Sequence, residues 1–357
     1  MKKSYAIKVP IKYAQEIQQI LKKNNLRNND LKLKKDKNYL YYPIKEKNIN
    51  LFSNTLSNIE DSKILTMDFI EYDKKIKTYK ENIIIPNSLK KYLPTSYDTI
   101  GNIVLIKLPT ELLEYKKNIG ESILKSKKNI KTVCLIKPIT GELRTRDVEI
   151  ISGLKQTKTI HKEFGIELYV DIKNTYFSPR LANERKRIAN LVKPNEILVD
   201  MFTGVAPFAI MIAKYSKPKI IYAVDKNKKA IMLAKKNVNI NKVVDKITLF
   251  NKDSKDIGKI LEKEKKSADR IIMNLPFSTQ DFFTYALDII SAKCIIHYYT
   301  ITKLNEVENN ISKLKKIAKI KNIKMTNYTL HKIKSYSPRE FYICIDITAS
   351  KTYADVA

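Results

Sequence analysis

Short apolar runs that end in Asp or Asn recur through the second half of the chain. Between them lie stretches whose apolar positions return every three or four residues. The first pattern fits buried parallel strands and the second amphipathic helices. A helix is expected from Pro179 to about Leu191, then a strand at Ile197–Asp200 and a helix through Phe208–Lys214. A strand at Ile220–Asp225, a helix through Ala230–Asn239 and a strand at Lys246–Phe250 follow. Next come a strand at Ile271–Asn274, a helix through Phe282–Ile290 and a strand at Cys294–Tyr298; Lys332 to Ile347 suggests a closing strand pair. Alternation of this kind implies an α/β fold with a doubly wound, Rossmann-like parallel sheet.

The first half reads differently. Residues 1–65 suggest a small α+β module, with helical spacing from Tyr13 to Leu21 and a strand at Tyr39–Ile44. Mostly polar residues around Tyr72 to Asn82 read as a linker. From 83 to 175 strands dominate: Ile100–Leu108, Val133–Ile136, and Ile166–Ile172 after a turn at Gly165, with a helix from about Thr110 to Ser126. The expected division is a module at 1–66, a linker at 67–82, a β-rich domain at 83–175 and the α/β domain at 176–357. No internal repeat is visible.

Charge narrows the partner. Lys and Arg outnumber Asp and Glu by 68 to 37 in 357 residues, a net charge of +31. Such a chain fits a polyanion. Abundant Lys, Asn and Ile with only seven Gly suggest that part of this charge is compositional background. The 14 basic and 6 acidic residues of positions 1–65 still give that module +8. Arginine is the sharper signal: five of eight (Arg144, Arg146, Arg180, Arg185 and Arg187) fall within one stretch. A guanidinium kept where lysine would supply charge suggests a need for its planar fork, at a phosphate, carboxylate or base edge. Cys134, Cys294 and Cys344 are scattered, without CxxC spacing, which argues against disulfides or zinc. His161, His297 and His331 lie too far apart in sequence to suggest a metal cluster, so no metal is expected. No secretory signal follows Met1-Lys2-Lys3, and no apolar run approaches the roughly 18 residues of a membrane span, so a cytoplasmic protein with no membrane partner is expected.

The chemistry gathers at strand ends. Ile271-Ile272-Met273-Asn274-Leu275-Pro276 is an apolar run stopped by proline, which places the Asn274 amide at the carboxyl edge of the sheet. Many methyltransferases that use S-adenosylmethionine (AdoMet) hold a planar nitrogen nucleophile with Asn-x-Pro at this place; an ordinary turn is the plain alternative. Ile197-Leu198-Val199-Asp200-Met201-Phe202-Thr203-Gly204-Val205 supplies the first strand-to-helix turn, with a single glycine. A pyrophosphate needs several glycines for close backbone approach, whereas AdoMet has no phosphate. Asp225, after the next strand, can accept from two ribose hydroxyls, and Asp253, after the third, from an adenine amino group. A helix cap is the alternative for either. Asp200, Gly204, Asp225, Asp253 and Asn274 together compose an AdoMet pocket.

Just ahead stands Tyr176-Phe177-Ser178-Pro179-Arg180-Leu181-Ala182-Asn183-Glu184-Arg185-Lys186-Arg187. Ser178-Pro179 is a helix start, with a hydroxyl cap and then proline at the first position. Leu181 and Ile188 mark the buried stripe, which turns Glu184 inward, with Arg180 nearly on the same side. Glu184 reads either as a proton acceptor or as the partner of Arg180 in a structural ion pair.

With these segments the chain resembles the archaeal branch of the tRNA (guanine-N1)-methyltransferases that modify position 37. Gly141-Glu142-Leu143-Arg144-Thr145-Arg146, Thr159 to Gly165, Tyr176 to Arg185, Asp200 to Phe208, Ile271 to Pro276, Ile296 to Tyr299 and Lys334 to Glu340 carry the likeness, which spans nearly the whole chain. It departs at Thr203 and Ala206, where the family has Ala and a second Gly, and at Phe277-Ser278-Thr279-Gln280. The resemblance implies a class I AdoMet-dependent methyltransferase sheet joined to an RNA-binding β-rich domain and a module that grips the tRNA elbow. It implies Glu184 as general base on guanine N1, Arg144 as donor to O6 and Asn274 on the base edge. Tyr176 would stack on the splayed base, and Arg180, Arg146 and Pro276 would line the substrate side. Arg185, Lys226 and Lys252 would join the pocket residues in contacting AdoMet. The expected partner is tRNA, at anticodon loop and elbow, with the protein a monomer without an obligate protein partner. Rival readings are methylation or aminocarboxypropyl transfer in the wyosine pathway at the same position, and an RNA-binding protein without catalysis.

Overall fold

The computed structural model describes residues 1–45, 59–71, 78–140 and 145–352, without the side chains of 138–140, 145 and 146. The Gly141–Arg144 stretch and part of the expected linker therefore lie outside the described residues. The chain divides into two compact units, Met1–Glu81 and Asn82–Ala357.

The first unit is an antiparallel sheet of β1 (Lys2–Pro10), β2 (Lys34–Lys35), β3 (Tyr39–Pro43) and β4 (Lys63–Phe69), in the order β2-β3-β1-β4, with one helix, α1 (Ala14–Lys23). Ile17 and Leu21, one turn apart on α1, are buried with Ile7, Val9, Tyr42 and Ile44, which is the core that the Tyr13–Leu21 spacing announces. Residues 67–71, expected in the linker, belong to this module. Phe69 ends β4 fully buried against Ala6 and Leu31, and Glu71 bridges to Leu31.

The second unit opens with a four-stranded sheet, β5 (Asp98–Ile100), β6 (Ile103–Ile106), β7 (Thr132–Thr140) and β8 (Thr145–Gly153), and the helix α2 (Lys116–Ser126). The strand expected over Ile100–Leu108 is a hairpin, broken at Gly101-Asn102. A separate hairpin follows, β9 (Lys158–Glu163) and β10 (Ile166–Asp171), turning at Phe164-Gly165.

Then comes the doubly wound sheet. Its strands β11 (Ile197–Asp200), β12 (Ile220–Val224), β13 (Ile247–Phe250), β14 (Ala268–Met273), β15 (Ile290–Thr302), β16 (Ile323–Ser335) and β17 (Phe341–Lys351) lie in the order 13-12-11-14-15-17-16. The first five run parallel, and β17 pairs antiparallel with both β15 and β16. The helices are α3 (Ala182–Leu191), α4 (Pro207–Tyr215), α5 (Lys228–Ile240), α6 (Ile257–Lys263), α7 (Phe283–Asp288) and α8 (Val307–Ile320). Leu198, Val199, Ile221, Ala223, Ile271 and Ile272 are wholly buried, as strands covered on both faces require.

The β9–β10 hairpin is fastened to α5 through its backbone. Tyr169 N–H donates to Asn237 Oδ1 at 2.6 Å, and Asn237 Nδ2 donates back to Tyr169 O at 3.1 Å. Asn241, one turn on, repeats the exchange with Glu167 at 3.0 and 2.6 Å. Two side-chain amides thus pair with a strand edge as another strand would.

Candidate active site

The carboxyl ends of β11, β12, β13 and β14 open into a cavity of about 510 Å³. Gly204 forms its tight turn at φ +56°, a conformation glycine adopts without cost. Gly204 N–H donates to Asp225 Oδ2 at 2.7 Å, and Asn227 N–H donates to Oδ1 at 2.8 Å. Asp225 is therefore clamped in place on the cavity wall with lone pairs remaining on both oxygens. Burial raises its pKa, and the two N–H donors counter only part of that rise. Asp253 also lines the cavity and caps the next turn, accepting from Lys255 N–H at 2.9 Å; Lys226 Nζ lies 3.9 Å from its Oδ2. Asp253 is thus at once a cap and a residue of the cavity wall.

Two expected cofactor residues stand elsewhere. Asp200 is buried and is not part of the wall, because the Met201–Ala206 turn, rather than the strand end, meets the cavity. The Thr203 hydroxyl and Phe202 N–H approach its carboxylate, but neither completes a hydrogen bond. Burial pushes its pKa up to about 7. Lys252 is exposed and off the wall, where Lys255 stands instead. Reasoning from sequence missed the aromatic wall. Phe202 and Phe282 meet edge to face at 4.9 Å, and Tyr285 lies beyond at 6.4 Å from Phe282. Apolar residues at strand ends read as core, so the sequence held no signal to separate them from it.

On the other side, Tyr176, Ser178, Leu181 and Arg185 line the cavity. Pro179 opens a 3-10 turn that runs into α3, but the Ser178 hydroxyl makes no capping bond. Its carbonyl accepts instead from the Arg185 guanidinium, both Nη atoms lying at 3.2 Å. Arg185 is 1 % exposed and forks onto Glu163 at 2.6 and 2.5 Å. Its guanidinium thus reaches the wall with Nε and both Nη atoms already engaged.

Glu184 does face inward, at 6 % exposure, but Arg180 is not its partner. Arg180 lies in the 3-10 turn, out of α-helical register, and donates to Asp98 at 2.5 Å. Glu184 accepts instead from Arg187, at 2.8 Å on Oε2 and 2.7 Å on Oε1, and from the Tyr299 hydroxyl at 2.8 Å. Glu184 is not itself part of the cavity wall. Arg144 lies outside the described residues, as does the side chain of Arg146. In the arginine cluster the described forks meet carboxylates, one of the three targets expected of them.

Arg187 also donates to Asp346, at 2.6 Å and 3.2 Å. On that carboxylate His297 and His331 converge, at 2.6 and 3.1 Å. Sequence distance hid this meeting, since strand pairing in β15, β16 and β17 brings the residues together. Arg270 lies 2.9 Å from His297 Nε2 and can only donate, so Nδ1 carries the hydrogen toward Asp346. Burial, opposed by Asp346, keeps the His297 pKa low. Burial would raise Asp346, but His297 and Arg187 outweigh it and hold the carboxyl far below its usual range. His297, Cys344 and Asp346 are close enough to hold a cation. Two guanidinium groups already bond His297 and Asp346, so a further cation is disfavoured.

Asn274 lines the cavity at the end of β14, and its Oδ1 accepts from the Tyr342 hydroxyl. Pro276 is buried in the turn beyond. Thr279 Oγ1 lies 2.6 Å from both the Leu275 and Tyr299 carbonyl oxygens, fastening this turn to β15. The arrangement offers a ribose-type acceptor at Asp225, an aromatic slot, an amide at a rigid turn and a buried carboxylate nearby.

Residues 159–326 match the family profile of the TRM5/TYW2 methyltransferase domain, 79–157 the TYW2 N-terminal domain and 6–52 the tRNA methyltransferase 5 N-terminal domain. The tRNA (guanine(37)-N(1))-methyltransferase Trm5b of Pyrococcus abyssi is 33 % identical over 97 % of this chain and 99 % of its own. Trm5b of Methanocaldococcus jannaschii is 36 % identical over 97 % and 98 %. The tRNA(Phe) (4-demethylwyosine(37)-C(7)) aminocarboxypropyltransferase of M. jannaschii is 34 % identical over 70 % of this chain and 96 % of its own. Among solved structures, P. abyssi Trm5b superposes with a TM-score of 0.76, at 33 % identity, covering 97 % of this chain and 99 % of that one. A complex of aTrm5 with tRNALeu gives 0.73 at 32 % identity, covering 97 % and 99 %. M. jannaschii TYW2 in complex with AdoMet gives 0.55 at 27 % identity, covering 72 % and 100 %.

Proposed function

Because this chain belongs to the TRM5/TYW2 methyltransferase family, we propose that it transfers the methyl group of AdoMet to N1 of guanosine 37 in tRNA. One observation carries the choice within the family. Likeness to the Trm5b proteins runs through the first module, whereas the aminocarboxypropyltransferase aligns with 70 % of the chain.

The cavity fits AdoMet on its own terms. Asp225 is held by two N–H groups with lone pairs to spare for the ribose, one glycine suffices where no phosphate must be cradled, and the Phe202–Phe282–Tyr285 wall suits a flat purine. Gly204, Lys226, Asp253 and Arg185 complete its surroundings. When bound, AdoMet supplies an electrophilic methyl group on its sulfonium.

The protein's part is to prepare the base. Guanine N1 carries a proton and attacks poorly until it is removed. Glu184 takes that proton on Oε2, which accepts one bond from Arg187 and keeps a lone pair, whereas Oε1 is filled by Arg187 and Tyr299. Arg144 donates to O6, where charge grows as the proton leaves. Asn274, on its Pro276-stiffened turn, holds the base edge, and Tyr176 stacks on the base once it leaves the loop. Arg180 and Arg146 meet the RNA nearby. The basic first module contacts the tRNA elbow, and the enzyme works in the cytoplasm as a monomer.

Nucleoside mass spectrometry of unmodified tRNA incubated with AdoMet tests this reading. Guanosine carrying one extra methyl is expected; an aminocarboxypropyl adduct, or no adduct, would reject it.

A further inference from the structure

A side-chain amide has a donor end and an acceptor end, and only one of them can face a bound base. In Asn274 the acceptor is already engaged, since Oδ1 takes the hydroxyl proton of Tyr342. Tyr342 stands on β17, is 3 % exposed and is not part of the cavity wall, whereas Asn274 is. With Oδ1 turned to a phenol behind the wall, the Nδ2 end is left for the cavity. We infer that Tyr342 is a positioning residue that fixes the Asn274 amide as a hydrogen-bond donor toward the methyl-accepting base.

A second phenol makes the arrangement a pair. Tyr299, on the neighbouring strand β15, has its ring centre 6.0 Å from that of Tyr342 and donates to Glu184 at 2.8 Å. The two rings commit their hydroxyl protons to Glu184 and Asn274, two of the polar side chains assigned to the base. Reversing the amide would turn its N–H groups onto the phenol and give up the Oδ1 acceptor.

A donor amide complements the 6-oxo group of a purine, which accepts, and opposes a 6-amino group, which donates. Tyr342 therefore contributes to choosing guanine over adenine without touching either. This rests on the functional reading above and assigns to it one hydroxyl group.

Tyr342→Phe keeps the ring and removes that hydroxyl. In single-turnover assays with saturating AdoMet, methylation of guanosine-37 tRNA should slow roughly 10-fold, the worth of one well-aligned hydrogen bond. AdoMet affinity should stay unchanged. In an Asn274→Ala background the same substitution should cost nothing more, because no amide is left to orient. An unchanged rate in Tyr342→Phe, full additivity with Asn274→Ala, or loss of AdoMet binding would overturn the assignment. Neutron diffraction of the AdoMet-free protein decides it apart from turnover. Deuterium on Tyr342 directed at Asn274 Oδ1 is expected, and Nδ2 deuterium facing the phenol would overturn it. Failure of the wild type to methylate any tRNA would count against the functional reading alone.

Discussion

Glu184 stands in three hydrogen bonds, two from Arg187 and one from Tyr299. Glu184→Gln keeps the shape but cannot take a proton, so single-turnover methylation should fall roughly 10²–10⁴-fold while AdoMet still binds. Near wild-type transfer would move the role to another group. Asp200 makes a separate prediction. Its folded pKa of about 7 lies above the ordinary carboxyl value of 3.8, so between those values the folded state holds a proton that the unfolded chain has released. Stability then falls as pH rises, by about 1.4 kcal/mol per pH unit for this one group. Asp200→Asn removes that dependence. From pH 5 to pH 8, urea unfolding should show the variant gaining on the wild type by about 2–3 kcal/mol; a gap that does not change with pH would contradict the burial argument. At this scale orientation is easier to read from the sequence than partnership. The spacing of Leu181 and Ile188 turns Glu184 inward, but its ion partner follows from Arg180 leaving α-helical register. Arg185, Arg187 and Arg270 find carboxylates that only the tertiary fold brings near.

Among the elements, alternating strands and helices were legible wherever strands are buried on both faces and read as continuous apolar runs. Edges were not. β8 and β9 carry polar residues between their apolar ones and so lack a continuous apolar run, and the Ile100–Leu108 run hides a two-residue turn. The helix α8 was legible and still missed: Val307, Ile311, Leu314 and Ala318 fall at helical spacing, and all four are buried. The turn before α4 holds a strained position. Ala206 sits at φ +66°, where the family resemblance expects glycine. Ala206→Gly relieves left-handed strain but loses some backbone order and a buried methyl. These terms nearly cancel, so denaturant unfolding should show a net change within about 1 kcal/mol of zero. A clear loss of stability would show that the methyl packs better than the strain costs.

For the whole molecule, the first unit has its own sheet and core and a net charge concentrated in few residues, and among its described residues the last bridged to the sheet region is Glu71. Deleting residues 1–71 should leave AdoMet affinity intact. Transfer to full-length tRNA should weaken mainly through binding, with a shallower dependence on salt as phosphate contacts disappear. Transfer to an isolated anticodon stem-loop should hardly change. Equal losses on both substrates would mean that the module supports the catalytic unit and does not read tRNA shape.

The most direct measurement maps the methyl group on paired tRNA transcripts that differ only at position 37. With guanosine there, digestion and mass spectrometry should place a single N1-methyl at that nucleotide, and with adenosine there no methyl should be incorporated. A methyl group on another nucleotide, or equal incorporation into both transcripts, would show that the cavity serves a different acceptor.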